Sequence, residues 1–430
     1  MSEHRVTPQS SRADIVSGLS RKAVLFAPFW RQPGHIGNNR VERFVRWLAE
    51  DGYQVIVIRG GSADSEQSTP WGLELTVRDP AGLYRDNVAA SGFAPQGGNP
   101  LKKWLKAIGH RLLNPDPSII WARRAMHHPR VHERVQGAAF ILSSSPPESP
   151  HVGASYLARK FAIPHIVDMR DGWLDEPLKP LLKTSALRRW QEGRLEARIL
   201  AHARAILVTS TSWKQHLCTR FPAFADKISE ITNGYPASQP DSTPPAEGQP
   251  LILMHTGRFS ASDSRRTPEA VLLPLLEALQ ADTSSGQIRL IGALSAEENG
   301  RIDGMAQDFA RHHWRIERTG NIPRAELLQE LTQAHGLLLV SSSQSALPSK
   351  LFEYIPTRRP ILAVTEAGSA TGQLCRDLPQ AFVVEPGRPD IAVIRAFLSA
   401  SRQANPPASV PEQYGEPALR ETFRKVIRQL

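Results

Sequence analysis

The sequence predicts an α/β protein of two doubly wound domains, each built on a parallel sheet, and three observations lead to this fold class. Short, continuous apolar runs such as Gly336 to Val340 have the length and composition of strands buried on both faces. Amphipathic helical segments alternate with these runs through both halves of the chain. Residues 237–250 are rich in proline and serine and have no apolar periodicity, which is typical of a linker.

The linker separates two predicted domains of similar size. Residues 21–236 form the N-terminal domain and residues 251–411 the C-terminal domain, while residues 1–20 are expected to be disordered. Residues 412–430 include a basic amphipathic helix that is expected to pack back on the N-terminal domain. Two doubly wound domains leave a central cleft at the carboxyl ends of their strands, where such folds bind ligands.

Composition limits the classes of partner and the compartment. A net charge of +10 over 430 residues indicates anionic partners, such as phosphorylated substrates, nucleic acid or an acidic membrane surface. The two cysteines, Cys218 and Cys375, lie far apart, which argues against a disulfide framework or a zinc cluster. The polar N-terminus does not resemble a signal peptide, and no apolar stretch is long enough to span a membrane. These features predict a cytoplasmic protein.

The first half opens with a βαβ pattern. Lys22 to Phe29 is the first predicted strand, Arg40 to Glu50 an amphipathic helix, and Gln54 to Ile58 the second strand. The loop between strand and helix carries Gly34 and Gly37 but has no GxGxxG fingerprint, so it does not indicate a dinucleotide site. These glycines either make the turn or let a ligand approach the backbone.

Further elements complete the first half. Residues 62–100 have no clear periodicity, and no element is predicted there. The charged residues of the long helix from Leu181 to Ala203 are read mostly as a solvated face. Two further helices are predicted, one starting near His151 and one from Thr211 to Phe221. Four further strands are predicted: Ala138 to Ser143, Ile163 to Asp168, Arg204 to Ser210 and Ile228 to Ile231.

Ionisable residues follow two of these strands, at the edge where parallel sheets place ligands. His151 could orient a hydroxyl or stabilise charge, but it could equally cap its helix or lie on the surface. The next strand ends with Asp168, Arg170 and Asp171, which form either a ligand site or a structural ion pair.

The second half repeats the alternation of strands and helices. Its predicted strands are Leu251 to His255, Ile288 to Ile291, Ile316 to Arg318, Gly336 to Val340, Pro360 to Val364 and Ala381 to Val384. Its predicted helices begin at Pro268, Arg324, Pro348, Ala367, Asp390 and Pro417. The strand ends deliver glycine, arginine or serine towards one edge of the sheet.

The helix that begins at Pro348 carries the most specific spacing. Lys350 and Glu353 are three residues apart and can project from one helix face, near an N-terminus whose free N–H groups favour anions. A lysine can neutralise a diphosphate, and a carboxylate can accept hydrogen bonds from two ribose hydroxyls. The pair therefore indicates either a nucleotide-sugar pocket or a surface ion pair.

A basic segment, Leu101 to Leu113, alternates apolar and cationic residues with helical spacing. It could lie on an anionic membrane surface, which would make the protein peripheral on the inner membrane face. It could also be an ordinary helix that packs on the core and exposes its basic side.

Seven segments, in this order, resemble bacterial family 4-type glycosyltransferases of the GT-B fold: PFWRQPGHIGNNR, SSSPPESPH, DMRDGW, ITNGY, HTGRF, TGNI and PSKLFEYIPTRRPIL. The resemblance covers roughly residues 22 to 400. It implies a nucleotide-sugar donor held by the C-terminal domain and a saccharide or lipid-linked acceptor held by the N-terminal domain. It also implies a role in polysaccharide or glycoconjugate assembly.

The resemblance assigns roles residue by residue. Gly257 and Arg258 would lie at the diphosphate, with Arg265 or Arg266 as a second cation and Lys350 also binding phosphate. Glu353 would bind the ribose. The implied donor site also includes Asn321 and Ile322 at the nucleobase, together with Ser349 and Leu351. His151 would lie near the reacting sugar and, with Arg258, would be catalytic, while the acceptor side would include Gly34, Gly37, Asp168, Arg170 and Asp171.

The resemblance further implies transfer with retention of configuration and without a metal or other cofactor. The family often has a glutamate eight positions before the one matched by Glu353, whereas this chain has Ser345, which predicts an altered choice of sugar. Two alternatives stay open: a nucleotide-sugar 2-epimerase of the same architecture, or a non-catalytic protein that binds a nucleotide-sugar. Nucleic-acid binding is disfavoured because the basic residues lack aromatic interleaving.

Overall fold

The computed structural model describes residues 21–32, 37–84, 113–174, 185–236, 249–259, 266–282, 284–341, 343–345, 347–403 and 410–430. The predicted N-terminal disorder, the basic segment before Leu113 and most of the predicted linker lie outside these residues. By the contacts between residues, the chain divides into two compact units. The described residues up to 166 form the first unit, and those from 167 onwards form the second.

Fourteen strands are described, and they form two sheets. In chain order they are β1 (Lys22–Phe26), β2 (Gln54–Gly61), β3 (Ser65–Thr69), β4 (Gly72–Arg78), β5 (Phe140–Ser145), β6 (His165–Met169), β7 (Ala205–Val208), β8 (Ile228–Glu230), β9 (Leu251–Thr256), β10 (Gly286–Ile291), β11 (Trp314–Gly320), β12 (Gly336–Val340), β13 (Ile361–Val364) and β14 (Ala381–Val384). The first sheet has the order β3-β4-β2-β1-β5-β6-β7-β8, and the second has the order β11-β10-β9-β12-β13-β14. The predicted α/β class with two parallel sheets is confirmed.

Thirteen α-helices in the described ranges connect the strands. They are α1 (Asn38–Glu50), α2 (Ile119–His127), α3 (Pro129–Val135), α4 (Ser149–Phe161), α5 (Ala186–His202), α6 (Thr211–Arg220), α7 (Glu269–Leu279), α8 (Ala296–Arg311), α9 (Arg324–Thr332), α10 (Ser349–Tyr354), α11 (Ala370–Arg376), α12 (Ile391–Ser401) and α13 (Glu416–Arg428). Three short 3₁₀ helices add Pro222–Lys227, Ile355–Thr357 and Glu412–Tyr414.

The second sheet is parallel in every pairing that the structure describes. Strand β9 lies between β10 and β12, with Ile291 opposite Thr256 on one side and Leu337 opposite Met254 on the other. The loops that follow β9, β10, β11 and β12 therefore emerge at the same edge of the sheet, which brings residues distant in sequence together.

Strand β12 shows why the apolar runs are continuous in sequence. Leu338 and Val340 join a core cluster on one face of the sheet with Phe309 and Phe397. The alternate residues of the strand join the cluster on the other face, with Tyr354. Because successive side chains point to opposite faces, a strand covered on both sides needs apolar residues at every position.

The hairpin of β3 and β4 corrects the expectation that residues 62–100 hold no element. Strand β3 is polar and mostly exposed, and it pairs antiparallel with β4. In β4 the buried Glu74 interrupts the apolar pattern. Its carboxylate accepts a hydrogen bond from Trp30 Nε1 at 2.9 Å and lies 3.3 Å from guanidinium nitrogens of both Arg31 and Arg59.

Helix α5 corrects a second expectation, that its charged residues form a solvated face. Glu192 and Glu196 are buried. Glu192 accepts from Trp173 Nε1 at 3.0 Å, and Glu196 pairs with Arg220 at 2.6 Å. Burial of these acids is tolerated because each is hydrogen-bonded to a donor. The exposed face carries Trp190, which is 57% exposed, together with the exposed Arg189, Arg194 and Arg198, so the expectation holds only for these arginines.

Two contacts join residues near the C-terminus to residues that flank the last two strands of the first sheet, β7 and β8. Arg204, just before β7, donates a hydrogen bond of 2.8 Å to the carbonyl of Gln429. Tyr235 exchanges backbone hydrogen bonds of 3.0 Å with Tyr414 and Glu416. Both contacts lie within the second unit.

Candidate functional site

Three glycines at the edge of the second sheet bring its loops into backbone contact. Gly257 N donates to the carbonyl of Ile291 at 2.6 Å, and Gly292 N donates to that of Gly320 at 2.8 Å. All three glycines have positive φ, +75°, +139° and +70° in chain order. A Cβ on Gly292 would lie 2.9 Å from the Cα of Gly257, so this close approach requires glycine.

The loop after β11 is tied to the same edge by a side chain. Asn321 Oδ1 accepts a hydrogen bond of 2.8 Å from the backbone N of Ala293. The neighbouring Ile322 is half-buried and packs on the core cluster that contains Tyr354. The two residues assigned to the nucleobase therefore lie at the same sheet edge as Gly257.

Lys350 reaches this edge from helix α10. Its Nζ lies 3.3 Å from Nε2 of His255, and a Cβ on Gly257 would be 3.8 Å from that Nζ. His255 Nδ1 lies 2.9 Å from the carbonyl of Leu338, which can only accept, so Nδ1 carries the hydrogen and Nε2 accepts from Lys350. The buried His255 ring stacks on Phe259 at 3.9 Å between centroids.

The surroundings weaken the charge of Lys350. Burial and, to a smaller extent, the charge of Arg266 lower the pKa of Lys350 to about 7, although the carboxylates of Glu353 and Glu298 act in the opposite direction. Burial and the charge of Lys350 also hold the pKa of His255 well below its usual range. Lys350 and Arg266 therefore lie close together beside a neutral imidazole. A bound anion would relieve the repulsion between their positive charges.

Glu353 lies three residues after Lys350 on the same helix. Its side chain is 17% exposed, and its Oε1 lies 3.3 Å from Nη2 of Arg324. Burial raises the pKa of Glu353, while the charges of Arg324 and Lys350 oppose that shift. Because neither Lys350 nor Glu353 is an exposed residue, the alternative of a surface ion pair is wrong for this pair.

Helix α10 is short and strongly anchored. It begins at Ser349, and Pro348 stands at its N-cap position in an extended conformation, whereas the sequence placed Pro348 in the first turn. The hydroxyl of Tyr354 accepts from the backbone N of Thr256 at 3.0 Å and lies 3.4 Å from the carbonyl of Leu338. Together with the buried Leu351, this contact fixes the helix against the sheet.

The other assigned cations take different positions. Arg258 is exposed and follows Gly257 directly, while Arg266 is half-buried and acts on Lys350. Arg265 lies outside the described residues. Ser345, at the family's usual glutamate position, is half-buried, and its carbonyl accepts a hydrogen bond from Ser210 Oγ.

Sequence reasoning missed three residues that shape this site. His255 stands in the HTGRF segment and Tyr354 in PSKLFEY, but neither segment predicts a role for these two residues. Glu298 accepts from the backbone N of Phe259 at 2.9 Å and from that of Ser295 at 2.7 Å. The pattern from Ser295 to Glu298 is a capping box, but such a pattern predicts only a helix start.

In the first unit, His151 is fully buried on helix α4. Its Nδ1 lies 2.6 Å from Ser143 Oγ, which is also 2.8 Å from Nε2 of His165. The start of α4 is capped by Asp116, whose Oδ2 accepts from the backbone N of Glu148 and of Ser149, each at 2.9 Å. The alternatives of a surface histidine and of a capping histidine are therefore wrong for His151.

The remaining assigned residues are placed as follows. Gly37 is buried at the N-cap of α1 with an ordinary φ of −60°, and Gly34 lies outside the described residues. Asp168 is fully buried in β6. Arg170 and Asp171 follow that strand, and the carbonyl of Arg170 accepts from the hydroxyl of Thr209 at 2.9 Å. Both alternatives for this acidic group stay open.

The described residues contain neither a metal-binding cluster nor a membrane-spanning helix. Within those ranges, no group of three or more His, Cys, Asp or Glu side chains is arranged to hold a metal ion. None of the helices in the described part of the chain has the length and apolar character needed to cross a bilayer.

Part of the first half of the chain matches a known protein family. Residues 37–234 match the sequence model of the glycosyl transferase 4-like domain. A search of curated protein sequences finds no match.

Solved structures resemble the chain over almost its full length. The lipopolysaccharide outer core galactosyltransferase WaaB is 13% identical, with a TM-score of 0.58, and the match covers 95% of this chain and 99% of WaaB. HepE of Anabaena, solved with UDP and glucose, is 13% identical with a TM-score of 0.57, covering 95% and 100%. The UDP-GlcNAc 2-epimerase of Methanocaldococcus jannaschii is 10% identical with a TM-score of 0.52, covering 95% and 99%.

At these identities the likenesses to solved structures establish the fold, and the match to the family model concerns residues 37–234. The resemblance seen in the sequence is thereby confirmed. Residues 37–234 therefore match the glycosyl transferase 4-like domain, and the fold of the chain is that of the solved GT-B glycosyltransferases.

Proposed function

We propose that this protein transfers a sugar from a nucleotide-sugar to a saccharide acceptor, with retention of configuration and without a metal ion. The observation that carries the proposal is the group formed by Lys350, Arg266 and Gly257 at the edge of the second sheet, with Glu353 one helical turn beyond. Carboxyl edges of parallel sheets are where α/β folds bind ligands.

The diphosphate is the part of the donor that this group fits. Its two negative charges would relieve the repulsion between Lys350 and Arg266, and the missing side chain of Gly257 lets an oxygen approach the backbone. As the bond to the sugar breaks, charge develops on the leaving phosphate. Fixed cations in a partly dry site stabilise that charge, so no metal ion is needed for this step.

The ribose would be bound by Glu353. A carboxylate can accept hydrogen bonds from two neighbouring hydroxyls, and such charge-assisted bonds are stronger than neutral ones. Burial raises the pKa of Glu353, and the charge of Arg324 opposes that rise and so favours the carboxylate form. Lys350 and Glu353, three residues apart, would then bind diphosphate and ribose from one helix face.

His151 keeps the role that the resemblance gives it, contact with the transferred sugar. Retention would follow from front-face displacement, in which the leaving phosphate itself accepts the acceptor's proton and no protein nucleophile is used. The test is the anomeric configuration of the product by NMR, with activity measured in EDTA. An inverted product, or loss of activity in EDTA that metal restores, would contradict this part of the proposal.

The solved relatives suggest which donor to try first. HepE was solved with UDP and with UDP-glucose, so UDP-sugars are the first candidates here. WaaB is named for galactosyl transfer to the lipopolysaccharide outer core, which supports a lipid-linked saccharide as acceptor. With a net charge of +10, the protein would then work at the inner membrane face. If the purified protein does not bind anionic vesicles at low salt, the proposal that it works at the membrane face is wrong.

A second candidate, epimerisation at C2 of the donor sugar, is kept because the fold match includes a UDP-GlcNAc 2-epimerase. That reaction needs acid and base groups at the sugar carbon, for which Asp168 and Asp171 are the candidates. NMR of a UDP-GlcNAc incubation separates the two, since an epimerase yields a new UDP-sugar without any acceptor.

The decisive experiment is calorimetric titration with UDP, GDP, dTDP, CMP and their sugars. One nucleotide should bind selectively, and Glu353→Ala should weaken it by about 1.5–3 kcal/mol, or roughly 10- to 150-fold. Glu326→Ala, which makes the same change at an exposed position of α9, should bind as the wild type does.

Two other outcomes separate the alternatives. Binding without any sugar transfer or hydrolysis would favour a non-catalytic nucleotide-sugar-binding protein. No binding of any nucleotide would remove the transferase proposal.

A further inference from the structure

His255, in strand β9, is held in one orientation. Its fully buried ring stacks on Phe259, with 3.9 Å between the ring centroids and 1° between the ring planes. Phe259 is fixed in turn, because its backbone N donates a hydrogen bond of 2.9 Å to Glu298. At the edge of the ring, Nδ1 lies 2.9 Å from the carbonyl of Leu338 in β12. The plane of the imidazole is therefore fixed, and solvent does not reach it.

The contact with Leu338 decides which ring nitrogen carries the hydrogen. A carbonyl oxygen can only accept, so this bond requires hydrogen on Nδ1. The opposite tautomer would bring lone pairs of Nδ1 and of the carbonyl oxygen face to face at 2.9 Å. Burial, together with the charge of Lys350, holds the pKa of His255 well below its usual range, so the ring is neutral. Nε2 therefore keeps its lone pair and is an acceptor.

Lys350 supplies the hydrogen for that acceptor. Its Nζ lies 3.3 Å from Nε2 of His255. A lysine ammonium has three hydrogens, so two remain after this bond is made. A Cβ on Gly257 would be 3.8 Å from the same Nζ, so the amino group lies beside the backbone of Gly257. A bond to a fixed ring restricts the flexible lysine side chain before any ligand arrives, which lowers the entropy lost on binding.

We propose that His255 is a positioning residue, which holds the amino group of Lys350 beside Gly257 by accepting one of its hydrogens at Nε2. The meaning of this placement rests on the proposed donor site, in which the remaining hydrogens of Lys350 would meet oxygens of the diphosphate. His255 itself would not touch the donor, because its ring is fully buried. A neutral ring also adds no positive charge to that of Lys350 and Arg266.

The bond is tested first in the full-length chain without ligand. Long-range ¹H–¹⁵N correlation spectra of protein labelled at histidine report which ring nitrogen carries hydrogen and whether the other accepts a hydrogen bond. The signals of His255 are assigned by their loss in His255→Gln and in His255→Asn. We expect hydrogen on Nδ1 and a hydrogen-bonded, unprotonated Nε2. Lys350→Met should move Nε2 to the shift of an unbonded nitrogen, whereas Lys425→Met, at an exposed position of α13, should leave it unchanged.

Two substitutions of His255 then separate its two bonds. The amide of His255→Gln lies near the position of Nε2 and can still accept from Lys350, while the amide of His255→Asn lies near Nδ1 and can still donate to Leu338. In calorimetry with UDP-glucose, His255→Asn should weaken binding about tenfold or more, and His255→Gln by less than about threefold. In the Lys350→Met background, His255→Asn should cause no further loss, because its effect passes through Lys350.

Hydrogen on Nε2 of His255 in the wild type would overturn the proposal, as would an Nε2 signal that Lys350→Met does not move. Equal weakening by His255→Asn in both backgrounds, or equal weakening by His255→Gln and His255→Asn, would mean that the ring only supports the fold. If His255→Asn is unstable, the spectra of the wild type and of Lys350→Met still decide. If no nucleotide binds while the spectra are as expected, the proposed function is wrong and the placement of Lys350 stands.

Discussion

Lys350 should make nucleotide-sugar binding depend on pH above neutrality. In the free protein, burial and Arg266 lower the pKa of Lys350 from its usual 10.5 to about 7. A bound diphosphate favours the ammonium form and raises this pKa again. Since the pKa is higher in the complex, affinity is greatest below the free value and falls as the pH rises through 7 towards the pKa of the complex.

The magnitude follows from the two pKa values. If the diphosphate restores the usual pKa of Lys350, each complex formed above pH 7 takes up close to one proton. Affinity then falls about fivefold between pH 7 and 8 and about tenfold for each further unit, because one pKa unit corresponds to about 1.4 kcal/mol. If the diphosphate restores the pKa of Lys350 only in part, affinity still falls as the pH rises, but over a narrower pH range.

The assay is calorimetry with UDP-glucose, whose diphosphate has no group that titrates near neutrality. Dissociation constants are measured from about pH 6.5 to about 8.5, and buffers of different ionisation enthalpy count the protons taken up. Lys350→Arg is the matched variant, because its guanidinium stays charged throughout. The affinity of the wild type should fall with pH, and binding should take up protons. The Lys350→Arg variant should show neither effect. Equal slopes for the two proteins would refute the reasoning.

Three substitutions test the packing around the two sites, with urea unfolding as the measurement. Gly292→Ala combines a positive φ with a Cβ 2.9 Å from Gly257, so it should cost about 2 kcal/mol or more, and wild-type stability would contradict the close approach. Asp116→Ala removes both bonds that cap α4 and should cost about 1–2 kcal/mol; a neutral result would mean that water replaces the cap. Tyr354→Phe leaves the buried N–H of Thr256 without its acceptor and should cost about 1–3 kcal/mol, which a stable variant would disprove.

The strands could be predicted where burial on both faces makes the sequence uniformly apolar, as in β12. The hairpin of β3 and β4 could not, because its edge strand is polar and the buried Glu74 breaks the alternation of its partner. A buried glutamate looks like an exposed one in sequence. What makes it acceptable is a set of donors from Trp30, Arg31 and Arg59, which the fold alone brings together.

Some residues of the candidate sites could likewise be predicted from the sequence, and others could not. Lys350 and Glu353 could be found because both stand on one helix, three residues apart. His255 lies 95 residues before Lys350, and only the parallel order of β9 and β12 makes them neighbours. His165 gave no signal at all, since a histidine inside a predicted strand is read as core, and its bond to Ser143 spans 22 residues.

The contact between Gly257 and Gly292 has a consequence for the evolution and redesign of this protein. Gly292 cannot acquire a side chain while the loop of Gly257 stays where it is, because the obstacle is main chain and not a movable side chain. The two loops therefore have to diverge, or be transplanted, as one piece. Ser345 takes no part in this contact through its side chain, so a substitution there does not carry the same constraint.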